Sequence, residues 1–141
     1  MTQTHQQPPQ GLRYSREHAW AREEDDGTVT VGITGYAADQ LGKLVYIDMP
    51  SVGDALEAGE ESFDIESGKS ISPFVSPVSG EVTQVNETAD DDPTIVNSDP
   101  YGDGWLVRVA VDGGATVADG ALGNEGLMDA DEYEEFVKSQ G

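Results

Sequence analysis

The chain has 141 residues, about one domain's length, with 28 Asp plus Glu against 7 Lys plus Arg and a formal net charge of −21. Charge of that sign repels nucleic-acid phosphates and anionic membrane surfaces, which argues against both as partners. Cysteine is absent, so disulfides, thiol catalysis, zinc-thiolate sites and iron-sulfur clusters are excluded, and any sulfur chemistry has to arrive on a cofactor.

Residues 1–10 are rich in Gln and Pro without apolar periodicity, which predicts a flexible tail over 1–11 ahead of one domain over 12–141. No basic start with an apolar run marks a signal peptide, and no window reaches the roughly 20 apolar residues of a membrane span. A cytoplasmic protein is expected. Acidic residues are spread along the chain and the only lysines are Lys43, Lys69 and Lys138. The self-repulsion of such a surface is screened near molar salt, so a high-salt, halophilic cytoplasm is the expected setting.

Between Arg13 and Thr34, apolar runs around Asp26-Gly27 predict a hairpin, with Val29, Val31 and Ile33 alternating. Residues 36–41 predict a helical turn ended by Gly42, and 44–49 a strand stopped by Pro50. Strands are expected again over 61–66, from Ile71 to Val75 and over 81–85, with the acidic stretch 86–93 read as a turn. Ile95-Val96 and 105–111 read as closing strands, and 112–126 is Gly-rich and aperiodic. Asp129 with Glu132 three residues on predicts a capped helix that sets Tyr133, Phe136 and Val137 on one face. Short strands with frequent Gly and Pro predict a mainly β fold, a β-sandwich with small flanking helices and a C-terminal helix.

Lys69 falls at a hairpin tip, where a primary amine is exposed and open to modification. The segment Glu66-Ser67-Gly68-Lys69-Ser70-Ile71-Ser72, followed by Ser76-Pro77-Val78-Ser79-Gly80-Glu81-Val82, resembles the lipoyl-lysine segment of the glycine cleavage system H-protein family. Further matches follow in order: Tyr14 with His18 and Trp20, Val31-Gly32-Ile33-Thr34 with Tyr36-Ala37, Leu41-Gly42 with Val45-Tyr46, and Pro50 with Val52-Gly53. Val96-Asn97-Ser98-Asp99-Pro100-Tyr101-Gly102-Asp103-Gly104-Trp105-Leu106 is the most specific stretch, and the resemblance extends over about residues 12–137.

This resemblance implies a lipoyl-carrier fold of the barrel-sandwich type and a carrier without catalysis of its own. Lipoate would be joined by an amide to Lys69, with Glu66, Ser67, Gly68 and Ser70 as recognition context, and Gly68 and the serines would keep the turn tight. The implied partners are a pyridoxal-phosphate glycine decarboxylase (P protein), a tetrahydrofolate-dependent aminomethyltransferase (T protein), a flavin dihydrolipoyl dehydrogenase (L protein) and a lipoate ligase or lipoyl transferase. A surface cleft would shelter the arm, with Glu17, His18, Gly35 and Asp64 as candidate residues. The chain departs from the family's usual pattern around this cleft. Ala19 and Gly35 stand where Glu and Asp are usual, Pro73 where Asp is common, and Gly68 where Val is usual. Those departures keep two other functions open, a lipoyl donor or relay protein and an unmodified interaction module.

Other groups read as structural. His18 has neither a Cys nor a Ser nucleophile elbow to serve. The run Asp90-Asp91-Asp92 lacks the spaced oxygen ligands of a calcium loop, so no metal is expected. Trp20, Trp105, Tyr46 and Phe63 read as core or cleft wall.

Overall fold

Alternation of apolar residues builds two antiparallel sheets over one core in the computed structural model, which describes residues 12–24, 27–57, 60–111 and 128–140. The strands are β1 (Arg13–Tyr14), β2 (Ala19–Glu23), β3 (Thr28–Ile33), β4 (Leu44–Ile47), β5 (Ala55–Leu56), β6 (Glu61–Ser67), β7 (Ile71–Val75), β8 (Gly80–Val85) and β9 (Val107–Val111). The helices are α1 (Gly35–Leu41), α2 (Glu87–Asp91), α3 (Thr94–Ser98) and α4 (Ala130–Gln140). A six-stranded sheet runs in the order β1-β2-β3-β9-β8-β5, and a three-stranded sheet in the order β4-β6-β7. Val29, Val31, Val82, Val107 and Val109 of the first share a buried cluster with Leu44, Ile47, Phe63, Ile65 and Phe74 of the second. Such a shared apolar interior is what holds two sheets face to face. The mainly β sandwich with a C-terminal helix is therefore observed.

Local chemistry explains the helix ends. Thr34 caps α1 by accepting a hydrogen bond from the Ala37 amide, and Gly42 ends the helix at φ 85° and ψ −165°, a conformation essentially reserved for glycine. At α4 the Asp129 carboxylate accepts from the Glu132 amide at 2.8 Å while the Glu132 carboxylate accepts from the Asp129 amide at 3.0 Å. This reciprocal capping box matches the expectation. Helix α4 docks Tyr133 into a second buried cluster with Leu12, Tyr14, Trp20 and Ala130.

Several expectations are corrected. The acidic stretch 86–93 contains helix α2 instead of a plain turn, because Asn86 accepts from the Thr88 amide while its own amide donates to the Asp103 and Trp105 carbonyls. Ile95-Val96 belongs to helix α3, which buries Val96 in the core without any strand partner. The last strand begins at Val107, the fourth ends at Ile47, and β5 was not foreseen. Tyr46 is neither core nor cleft wall. A register shift between Leu44 and Tyr46 turns Val45 and Tyr46 outward together, leaving Tyr46 49% exposed. The expected tail over 1–11 and the stretch 112–126 lie outside the described residues. No helix among the described residues is long and apolar enough to cross a membrane.

Candidate functional site

Strands β6 and β7 pair antiparallel, with Glu66 opposite Ile71, and Gly68, Lys69 and Ser70 make the connection. Ser67 organises the tip. Its buried hydroxyl accepts from the Lys69 amide at 3.2 Å and the Ser70 amide at 3.1 Å, and its own amide donates to the Ser70 carbonyl at 2.8 Å. The Gly68 amide donates to the Lys43 carbonyl at 3.2 Å, tying the tip to the start of β4. Lys69 is exposed, and its amine has no ion-pair partner among the described residues. Its stem lies over the end of α1, so that a methyl group on Gly42 would stand 3.3 Å from Cε and 3.8 Å from Nζ.

Asn97 holds that platform. Its carbonyl oxygen accepts from the Leu44 amide at 2.9 Å, and its amide donates to the Gly42 carbonyl at 2.8 Å and the Ala38 carbonyl at 3.3 Å. One side chain thus joins the end of α1 to the start of β4, under Lys69.

A cleft of about 240 Å³ opens between α1 and β7. Its apolar walls include Ile33, Tyr36, Leu41, Ile65, Pro73 and Phe74, and its polar groups include Glu17, His18, Gln40 and Ser72. The helix that supplies Gln40 and Leu41 to this wall ends at Gly42, against which Lys69 lies.

His18 sits in the turn between β1 and β2 at φ 70°, the left-handed region in which histidine is enriched among non-glycine residues. Its ring packs against Tyr36 at 4.8 Å and Phe136 at 5.8 Å between centroids. Nδ1 lies 2.7 Å from the Tyr133 hydroxyl, which lies 2.7 Å from the Thr34 hydroxyl. Burial lowers the His18 pKa and raises that of Tyr133. Burial likewise pushes Tyr101 up to about 12, where its oxygen accepts from the Gly35 amide at 2.8 Å. Two phenols thereby stay neutral and fixed around the start of α1.

A family model described as "Glycine cleavage H-protein" matches residues 12–140 of this chain. The chain belongs to the glycine cleavage H-protein family. It is similar to the glycine cleavage system H protein of Alteromonas mediterranea, at 45% identity over 132 residues, with 94% of this chain and 97% of that one covered. The H protein of Psychrobacter cryohalolentis is 48% identical over 126 residues, with 89% and 94% covered. That of Halorhodospira halophila is 44% identical over 135 residues, with 96% and 98% covered. Among solved structures, the glycine cleavage system H protein from Mycobacterium marinum superposes with a TM-score of 0.81 at 36% identity, covering 92% of this chain and 98% of that one.

Of the candidates named from the H-protein resemblance, Glu66, Ser67, Gly68 and Ser70 flank Lys69 at the hairpin end. Glu17 and His18 line the cleft. Gly35 is buried with its amide turned to Tyr101, and Asp64 is exposed on β6 opposite Pro73, so neither is a cleft wall. The role given to Gly68 needs correction. Its φ is not positive, and an added Cβ would meet nothing within 4 Å, so the tip is kept tight by the Ser67 hydroxyl and not by the glycine. Sequence reasoning missed Asn97 as the support under Lys69 and the Thr34–Tyr133–His18 chain. The position of Thr34 just before a short helix was the one available signal, that of an N-cap.

Proposed function

We propose that this chain is the lipoyl carrier of a glycine cleavage system, with lipoate joined by an amide to Lys69. The observation that carries the reading is the exposed Lys69 on a rigid hairpin, its stem lying over the end of the helix that walls a mostly apolar cleft. The donor set fits the group. A free primary amine can form the amide, and the apolar walls suit a hydrocarbon arm. When bound, lipoate supplies the sulfur that accepts the aminomethyl group of glycine and passes it on, chemistry that a cysteine-free chain lacks.

The chain's own residues do the rest. Ser67 fixes the tip so that the amine points to solvent, Asn97 fixes the helix end beneath it, and the cleft offers apolar walls beside that helix. Glu17 is the carboxylate at the cleft, suited to a protonated amine by charge-assisted hydrogen bonding. The chain acts as a non-catalytic component in the cytoplasm, and its partners are the P, T and L proteins with a lipoate ligase or lipoyl transferase. Its acidic surface fits a high-salt interior.

Intact mass with peptide mapping of the chain isolated from its host tests the reading. A lipoyl adduct confined to the Lys69 peptide, lost in a folded Lys69→Arg variant, is expected. An unmodified chain, or an adduct surviving in Lys69→Arg, contradicts it. Failure of the lipoylated protein to support glycine-dependent bicarbonate exchange with its decarboxylase would remove glycine cleavage and favour lipoyl relay.

A further inference from the structure

The hydrogens around Tyr133 can be assigned by elimination. Thr34 is fully buried, and its hydroxyl oxygen already accepts from the Ala37 amide at 3.2 Å. Its proton has one acceptor among the described residues, the Tyr133 oxygen at 2.7 Å. The Tyr133 proton is then directed to its other neighbour, His18 Nδ1, also at 2.7 Å. The bonds run in one direction, from the Ala37 amide to Thr34, from Thr34 to Tyr133 and from Tyr133 to His18. A proton on Nδ1 would use the Tyr133 oxygen as its acceptor and leave either the Thr34 proton or the Tyr133 proton without one, which is unfavourable for a buried hydroxyl. Neutral His18 therefore carries its proton on Nε2, a nitrogen that bonds to no other described residue. Burial of the ring also favours the neutral form.

We propose that the C-terminal helix sets what the cleft recognises. Through Tyr133 it holds His18 as the neutral Nε2–H tautomer, so that the ring offers the cleft a hydrogen-bond donor and Tyr133 is a positioning residue acting through it. The cleft then divides by polarity. An uncharged acceptor on an apolar chain, such as an amide carbonyl oxygen or a sulfur, suits His18. A protonated amine carries only donors, is not accepted by that ring, and is directed to the Glu17 carboxylate. This division deepens the proposed carrier reading and rests on it for the identity of the occupant, whereas the tautomer rests on the unmodified chain alone.

Long-range proton-nitrogen correlation spectra of the ¹⁵N-labelled, unmodified full chain near neutral pH test the tautomer, with His5→Gln separating the two histidines. The expected spectrum has His18 Nε2 protonated and Nδ1 as an unprotonated acceptor. Tyr133→Phe keeps the ring stacked on Tyr14, 5.0 Å away, and is expected to give a mixture of tautomers. Thr34→Ser retains the hydroxyl and is expected to preserve the single tautomer. A protonated Nδ1 in the unsubstituted chain, or identical His18 signals in Tyr133→Phe, would overturn the proposal. The donor role is read from chain bearing a lipoyl group at Lys69, verified by mass. The His18 Nε2–H signals are expected to shift on attachment, and unchanged signals with a verified adduct overturn the donor role while leaving the carrier reading standing. Lack of any adduct strikes the carrier reading instead, and is seen in the mass before any spectrum is recorded.

Discussion

The Asn97 side-chain amide donates to the Gly42 carbonyl at 2.8 Å, and the Lys69 stem passes over that same glycine. A helix end and a strand start are thereby fixed relative to one another by one side chain, beside the exposed lysine. Gly42 is doubly constrained, since its φ of 85° with ψ of −165° is strained for any residue with a Cβ and a methyl there would press on Lys69 Cε. Gly42→Ala is expected to lower stability by about 1–3 kcal/mol and to slow modification of Lys69. Urea unfolding and the time course of lipoyl attachment check both, and an unaltered midpoint would contradict the strain argument.

Asn97 makes three hydrogen bonds to backbone. Asn97→Ala should cost about 1–3 kcal/mol through the unpaired groups left behind. Asn97→Asp should cost more, because a carboxylate would face the Ala38 and Gly42 carbonyl oxygens. Equal stability of the two variants in denaturant titrations would contradict this ordering.

Gly68 stands in open space without a positive φ, so a side chain there meets no obstacle. Gly68→Ala is expected to stabilise the chain by about 0.4–1 kcal/mol by restricting the unfolded state. The denaturation midpoint should rise while Lys69 is modified as before. A fall in the midpoint would mean that the tip needs glycine after all.

The capping box of α4 leads directly to Tyr133. Asp129→Ala is expected to cost about 1 kcal/mol and to raise amide hydrogen exchange along α4. Because the Tyr133 hydroxyl bonds His18, the loosening should reach the His18 signals as well. Exchange changes that stop short of His18 would show that helix and cleft are not coupled.

Burial lowers the His18 pKa below its ordinary value of 6.5. Around the ring stand Glu17, the Tyr36 and Tyr133 phenols and Phe136. The folded chain resists the proton that the unfolded chain accepts, so this contribution is complete above about pH 6.5 and is lost as the pH falls below it. Glu24 acts in a lower window. Although burial pushes its carboxyl up, hydrogen bonds from Thr30 and Arg22 bring it below 4.5, so its contribution is lost only as pH falls past that range. Unfolding free energies from pH 8 to 5 should therefore decline more steeply for the unsubstituted chain than for His18→Gln. Parallel curves would count against a buried neutral His18.

With a net charge of −21, the melting temperature should rise between dilute buffer and molar potassium chloride as repulsion is screened. An unchanged melting temperature would remove the case for a high-salt interior.

The sequence by itself determined the features written in local chemistry. Alternation at Val29, Val31 and Ile33 marked a strand, Gly42 marked a helix end, and Asp129 with Glu132 marked a cap, since each depends on residues within a turn or two. It also placed Lys69 at a hairpin tip, because Ser67-Gly68-Lys69-Ser70 interrupts two alternating runs. The tertiary structure decided what depends on partners far along the chain. Asn86 starts a helix because carbonyls at Asp103 and Trp105 take up its amide, and Ile95-Val96 is helical because the core admits Val96 without strand pairing. Glu17 reaches the cleft and Asp64 does not, because Asp64 sits among the outward residues of β6 while the β1–β2 turn delivers Glu17 and His18 to the wall. His18 Nδ1 bonds the Tyr133 hydroxyl, 115 positions away, and no local pattern encodes a bond between residues that only folding brings together.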